Sequence, residues 1–172
     1  MSEPKLKEQI AVNEAGHAEK GQISFIDLKA QQERIGEKIE RAIMAVLEHG
    51  KYIMGPEVAE LEKQLSAFCG AKHTITCANG TDALILSLKA LDLKPGNGVL
   101  VPSFTYTASA EAIVLAGGVP VFVDVDEETF NIDIDNLKQA ITAGHNANID
   151  LAGIIAVDLF GQPANYDAIY EI

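Results

Sequence analysis

From His73 onward the chain alternates between short β-branched runs and stretches whose apolar residues recur at helical spacing, and this alternation constrains the fold most. His73–Cys77, Val99–Pro102, Val119–Val125 and Ile149–Asp158 read as strands. Between and after them, Asp82–Leu91, Thr107–Ala116, a stretch capped by Asp133 that runs through Ile141, and a segment starting near Ala164 read as helices. Strands alternating with helices predict a mostly parallel α/β sheet, covered on both faces and connected by right-handed crossovers. Such sheets bind ligands beyond the carboxyl ends of their strands. The segments Gly80-Thr81, Phe104–Tyr106 and Asp158–Gln162 all follow strand ends in this reading.

Upstream of the alternation the pattern is purely helical. Ile35, Ile39, Ala42, Ile43, Val46 and Leu47 form one stripe of a helix over Ala30–His49, stopped by Gly50. A second helix is expected over Glu57–Phe68, with Val58, Leu61, Leu65 and Phe68 on one face. Residues 1–22 carry no sustained period and are expected to form a flexible N-terminal arm, leaving 23–172 as the folded part.

The turn Cys77-Ala78-Asn79-Gly80-Thr81-Asp82-Ala83-Leu84 joins a strand-like run to a helix. The first N–H groups of a helix have no intrahelical acceptor, and the aligned peptide dipoles favour an anion there. Gly80 permits close approach of the backbone, and the Thr81 hydroxyl adds a donor. The same residues also fit an ordinary turn in which Thr81 or Asp82 caps the helix.

Two aromatics, Phe104 and Tyr106, follow a strand end, where they could fill the core between helix and sheet. Asp124 and Asp126 could be taken as a catalytic pair, but they run on into Glu127, Glu128 and Thr129 and read better as a solvated turn. Cys69 and Cys77 lack zinc-site spacing with each other or with His49 and His73, and are expected to be buried structural cysteines. No metal site is expected. A net charge of −12 argues against nucleic acid as a partner. No apolar run approaches the roughly 20 residues of a membrane span. With no signal-peptide core in residues 1–22, a cytoplasmic location is expected.

The ordered motifs Gly55-Pro56-Glu57-Val58, Cys77–Leu84, Pro102-Ser103-Phe104-Thr105-Tyr106, Phe122-Val123-Asp124-Val125-Asp126 and Leu159-Phe160-Gly161-Gln162-Pro163 carry a resemblance. They resemble the DegT/DnrJ/EryC1/StrS family of sugar aminotransferases, which depend on pyridoxal 5'-phosphate and share the aspartate-aminotransferase (type I) fold. The opening Phe25-Ile26-Asp27-Leu28-Lys29 with Gln31-Gln32 looks most like the branch that aminates UDP-linked 3-keto sugars. The resemblance implies the N-terminal part of the large domain of such an enzyme. It further implies amino transfer from L-glutamate to a nucleotide-linked keto sugar, and a homodimer.

The resemblance also assigns residues. Gly80 and Thr81 would hold the cofactor phosphate, and Tyr106 would brace its ring. Phe104 and Gln162 are further candidates for cofactor contact. Asp158 is not the family's pyridine-nitrogen partner, and the turn Gly96-Asn97-Gly98 departs from a pattern in which an acidic residue commonly follows the first glycine. Relatives are about twice as long. The lysine that holds the cofactor covalently is expected downstream of Ile172, so no catalytic residue is assigned and the chain alone is expected to be inactive. A non-catalytic fragment, or a dehydratase of the same family with histidine in place of that lysine, is the alternative.

Overall fold

The computed structural model describes residues 26–172, so the arm expected over residues 1–22 lies outside the described residues. The chain divides into two compact units, with the boundary between Lys72 and His73.

The first unit holds two helices, α1 (Leu28–His49) and α2 (Pro56–Cys69). Helix α1 starts two residues before the expected Ala30 because the Asp27 carboxylate caps it, accepting from Ala30 N at 2.9 Å. It stops where Gly50 enters the left-handed region at φ 65° and donates its N–H to Val46 O. Pro56 opens α2, where its missing N–H is no loss. The His49 ring joins the two ends, with Nε2 3.0 Å from Glu57 Oε1 and Nδ1 accepting from Lys51 N.

The second unit carries the alternation. Its elements run α3 (Gly80–Ala90), β1 (Gly98–Pro102), α4 (Ala108–Ala116), β2 (Val119–Val123), α5 (Ile134–Asn146), β3 (Leu151–Ile154), a 3-10 turn at Leu159–Gly161 and α6 (Tyr166–Tyr170). The three strands form a parallel sheet in the order β2-β1-β3. The central strand β1 is buried along its whole length. Because successive side chains point to opposite faces, Val99 and Val101 pack with Leu88 of α3 and with Ala112 and Ile113 of α4. Leu100 points the other way and packs with Val123, Ile132 and Leu137 of α5. This is the expected α/β architecture, a parallel sheet with helices on both faces.

Several boundaries differ from the sequence reading. His73–Cys77 adopts neither strand nor helix, and Ile75 is 84% exposed. A strand exists only through ladder partners, and none of β1, β2 or β3 pairs with this segment. Strand β2 ends at Val123 because Val125 leaves the parallel ladder for an antiparallel bridge to Ile132. Strand β3 spans only Leu151–Ile154: Ile149 N still donates to Gly144 O at the exit of α5, while Ile155 makes a last bond to Leu100 O. Cys69 and Cys77 are both exposed, against the expectation of burial. Cys69 ends α2, which has no buried residue, and Cys77 Sγ lies in a turn, donating to Asn79 O at 3.3 Å.

Candidate functional site

The start of α3 is built by Asn79. Its backbone is extended, and its side-chain oxygen accepts from Asp82 N at 2.8 Å while its amide nitrogen donates to Asp82 Oδ2 at 3.1 Å. The cap is therefore Asn79 and not Thr81 or Asp82, because only the residue preceding the first helical turn can turn its side chain back onto that turn. Ala83 N donates to Asn79 O, the first regular bond of the helix. Asp82 N and Ala83 N are thus engaged, and the N–H groups of Gly80 and Thr81 remain as the outward-facing donors of the first turn. Thr81 is half-buried, and a Cβ at Gly80 would meet nothing within 4 Å. The approach to these donors is open within this unit.

The loops that leave the three strands meet through aromatic rings. Ser103 N, just past β1, donates to Val123 O, and Phe104 follows it half exposed. The Phe104 and Phe130 rings lie 5.6 Å apart, and Phe130 meets Phe160 edge-on at 6.2 Å. Phe104 follows β1, Phe130 lies between β2 and α5, and Phe160 follows β3. Tyr106 is set apart from this row: its carbonyl accepts from Ser109 N at the start of α4, and the residue is 81% exposed. Of the two aromatics singled out in the sequence, Phe104 joins its neighbours and Tyr106 stands exposed.

A groove of about 830 Å³ runs beside the row, lined by Phe104, Phe130 and the carboxylates Asp124, Asp126, Glu127 and Glu128. Carboxylates in this number disfavour a phosphate in the groove. Asp126 is a turn former, accepting from Thr129 N at 2.8 Å, Thr129 Oγ1 at 2.9 Å and Glu128 N at 3.1 Å. The Thr129 bonds hold its carboxyl below the usual range.

Gln162 lines a different groove from Phe104, together with Thr129, Asn131 and Pro163. Its loop is held from two sides. The buried Asn131 carboxamide donates to Gln162 O at 3.0 Å and Pro163 O at 3.1 Å, and accepts from Leu159 N at 3.1 Å. The Asp158 carboxylate accepts from Ala164 N at 2.9 Å and from the Tyr166 hydroxyl at 3.0 Å. Burial, then the Asp158 charge and hydrogen bond, push the Tyr166 phenol above its ordinary value. Between these anchors Phe160 adopts a left-handed conformation at φ 56°, ψ 18°.

Sequence reasoning missed Asn79 as the cap and both anchors, Asn131 and Asp158. For Asn79 the signal was present, since Asn immediately before Gly at the head of an apolar-periodic run is a preferred cap. Asn131, an Asn between Phe130 and Ile132, signals a turn, but its partners lie 28 to 32 residues away and leave no local trace.

A family model described as the DegT/DnrJ/EryC1/StrS aminotransferase family matches residues 33–172. The chain is 52% identical over 150 residues to the UDP-2-acetamido-2-deoxy-3-oxo-D-glucuronate aminotransferase of Pseudomonas aeruginosa, covering 87% of this chain and 40% of that enzyme. A crystal structure of a DegT DnrJ EryC1 StrS aminotransferase from Brucella abortus superposes with a TM-score of 0.83 at 47% identity, over 87% of this chain and 40% of that one. The structure of NtdA from Bacillus subtilis, with bound cofactor PMP, superposes with a TM-score of 0.70 at 33% identity, over 78% of this chain and 30% of that one. The chain spans about 40% of the length of the Pseudomonas and Brucella relatives.

Proposed function

The chain belongs to the DegT/DnrJ/EryC1/StrS aminotransferase family, and from that premise we propose that it is the N-terminal portion of a pyridoxal-phosphate-dependent sugar aminotransferase. The whole enzyme transfers an amino group from L-glutamate to the ketone carbon of a nucleotide-linked sugar, a UDP-linked 3-keto sugar by the relative of highest identity described above. It works as a cytoplasmic homodimer.

The observation that carries this reading is the start of α3. A phosphate ester needs converging donors and a positive potential. Asn79 closes the cap through Asp82, which leaves the Gly80 and Thr81 N–H groups and the Thr81 hydroxyl at the positive end of an 11-residue helix. The donor set therefore fits the phosphate of the cofactor. Pyridoxal phosphate, when bound, supplies the electron sink that lowers the barrier to moving an amino group between carbon skeletons.

This chain's residues bind and orient. Gly80 and Thr81 would hold the phosphate through their N–H groups and the Thr81 hydroxyl. Tyr106, an exposed residue, would brace the cofactor ring by stacking. Phe104 supports this segment through Phe130, and Gln162 offers an amide that can donate to or accept from a polar ring substituent.

The test is the full-length protein incubated with L-glutamate, pyridoxal phosphate and a UDP-linked 3-keto sugar. Formation of 2-oxoglutarate together with a UDP-amino sugar is the expected outcome. A deoxygenated sugar that carries no new amino group would place the protein among the family's dehydratases instead.

A further inference from the structure

Asn131 is a buried polar side chain of the second unit whose carboxamide is engaged at both ends. Only 5% of the residue is exposed, and its carboxamide uses both ends: the NH2 group donates to two carbonyl oxygens and the carbonyl accepts from one N–H. All of these partners lie in one segment, Leu159–Pro163, which follows β3. Its backbone is held as well, with Asn131 N donating to Thr129 Oγ1 at 3.3 Å and Asn131 O accepting from Asp126 N at 2.9 Å. The residue therefore ties the loop after β3 to the turn after β2. That loop needs tying, because Phe160 within it occupies the left-handed region, where a residue with a Cβ is disfavoured.

We propose that Asn131 is a positioning residue, whose carboxamide fixes the Leu159–Pro163 loop so that Gln162 is held at the carboxyl edge of the sheet for contact with the cofactor or the sugar. The inference rests on the aminotransferase reading and deepens it, because the residue acts only through Gln162. No other side chain of similar size fits the role. Aspartate has the same shape but replaces the NH2 group, and with it both N–H donors, by one oxygen facing the Gln162 and Pro163 carbonyls. Leucine fills the volume and satisfies none of the three partners, leaving buried polar groups unpaired.

The test uses the full-length protein with Asn131→Asp, Asn131→Ser, Gln162→Ala and the double variant Asn131→Asp/Gln162→Ala. Amide exchange in the apoprotein is measured at Leu159, Gly161, Gln162 and Ala164, with Val99–Val101 as the internal reference. Cofactor affinity and the KM for the sugar are measured alongside. In Asn131→Asp at neutral pH, loop exchange should rise at least about tenfold, the effect of losing roughly one net hydrogen bond of 1.4 kcal/mol, while the β1 amides stay protected. Near pH 5 the buried carboxyl regains a proton, donates to one carbonyl and restores part of the protection. Cofactor affinity or KM should worsen by about tenfold in Asn131→Asp and in Gln162→Ala alike, and no further in the double variant, as for two residues acting as one unit.

Asn131→Ser, which places no charge opposite the carbonyls, should show the same loop effect in weaker form and covers the case in which Asn131→Asp does not fold. Unchanged loop exchange in either variant overturns the proposal. So does a loosened loop with unaltered cofactor and substrate constants, and that result leaves the aminotransferase reading standing. A wild-type protein that binds no pyridoxal phosphate overturns both, and is recognised before any variant is made.

Discussion

Thr81 and Asn79 separate binding from folding at one helix end. The hydrogen bonds show the cap to be Asn79, through Asp82 N at 2.8 Å, so the Thr81 side chain takes no part in it. Thr81→Ala should therefore leave the apoprotein as stable as before, or slightly more stable, because Ala is the better helix former by a few tenths of a kcal/mol. A hydrogen bond to a charged group is worth about 1.5–3 kcal/mol, so losing the hydroxyl should raise the cofactor dissociation constant roughly ten- to a hundredfold at about 1.4 kcal/mol per decade. Asn79→Ala should do the reverse in part, lowering stability by about 0.5–2 kcal/mol through loss of the cap. The assay is a pyridoxal phosphate titration followed by absorbance, with chemical denaturation of the apoprotein in parallel, on full-length wild type and both variants. If Thr81→Ala destabilises the apoprotein as much as Asn79→Ala and leaves the dissociation constant unchanged, Thr81 is structural and the phosphate reading of this helix is wrong.

Gly98 opens β1, and a Cβ there would come within 2.6 Å of Ile149 Cγ2 and 2.8 Å of Leu151 Cδ2. Gly98→Ala should cost about 1–3 kcal/mol by overpacking, read as a lower urea midpoint with an unchanged slope. The Tyr166 phenol is raised above its ordinary value of 10.0, so its contribution to stability is complete below that value and is lost as pH rises through the folded-state value. Denaturation curves across the alkaline range should show this loss in wild type and a flatter profile in Tyr166→Phe; equal slopes refute it. The 172-residue chain by itself, given pyridoxal phosphate, L-glutamate and a 3-keto UDP-sugar, should form no 2-oxoglutarate above a cofactor-only blank, because the covalent lysine is expected outside it. Turnover above that blank would locate the lysine within these residues.

The sheet and its flanking helices were legible because burial on two faces writes a strong pattern. Val99, Leu100 and Val101 are each at most 2% exposed, and such a run has few other uses. Helix ends were legible where a side chain caps its own helix, as Asp133 does by accepting from Asn136 N at 2.6 Å. His73–Cys77 was misread for a physical reason: β-branched residues fit a strand, but a strand also needs hydrogen-bonding neighbours, and no local pattern supplies them. The candidate site divides in the same way. Gly80 and Thr81 could be singled out as candidates because the free donors of a helix start are a local property. Asn131 and Asp158 could not, since their roles are set by chain segments brought together only by the fold.

The loop that holds Gln162 shows why local reading stops where it does. Phe130 and Phe160 both occupy the left-handed region, at φ 58° and 56°, and each such residue costs roughly 1–2 kcal/mol. Neither conformation would persist in an isolated segment. The strain is offset by contacts between the two loops. The three carboxamide bonds of Asn131 are worth about 1 kcal/mol each, and the ring contact at 6.2 Å about 0.5–1.5 kcal/mol. The two sums are of the same size, so neither loop holds its shape without the other. The turn after β2 and the loop after β3 therefore form one cooperative structure, and a substitution in the first changes how Gln162 is held in the second.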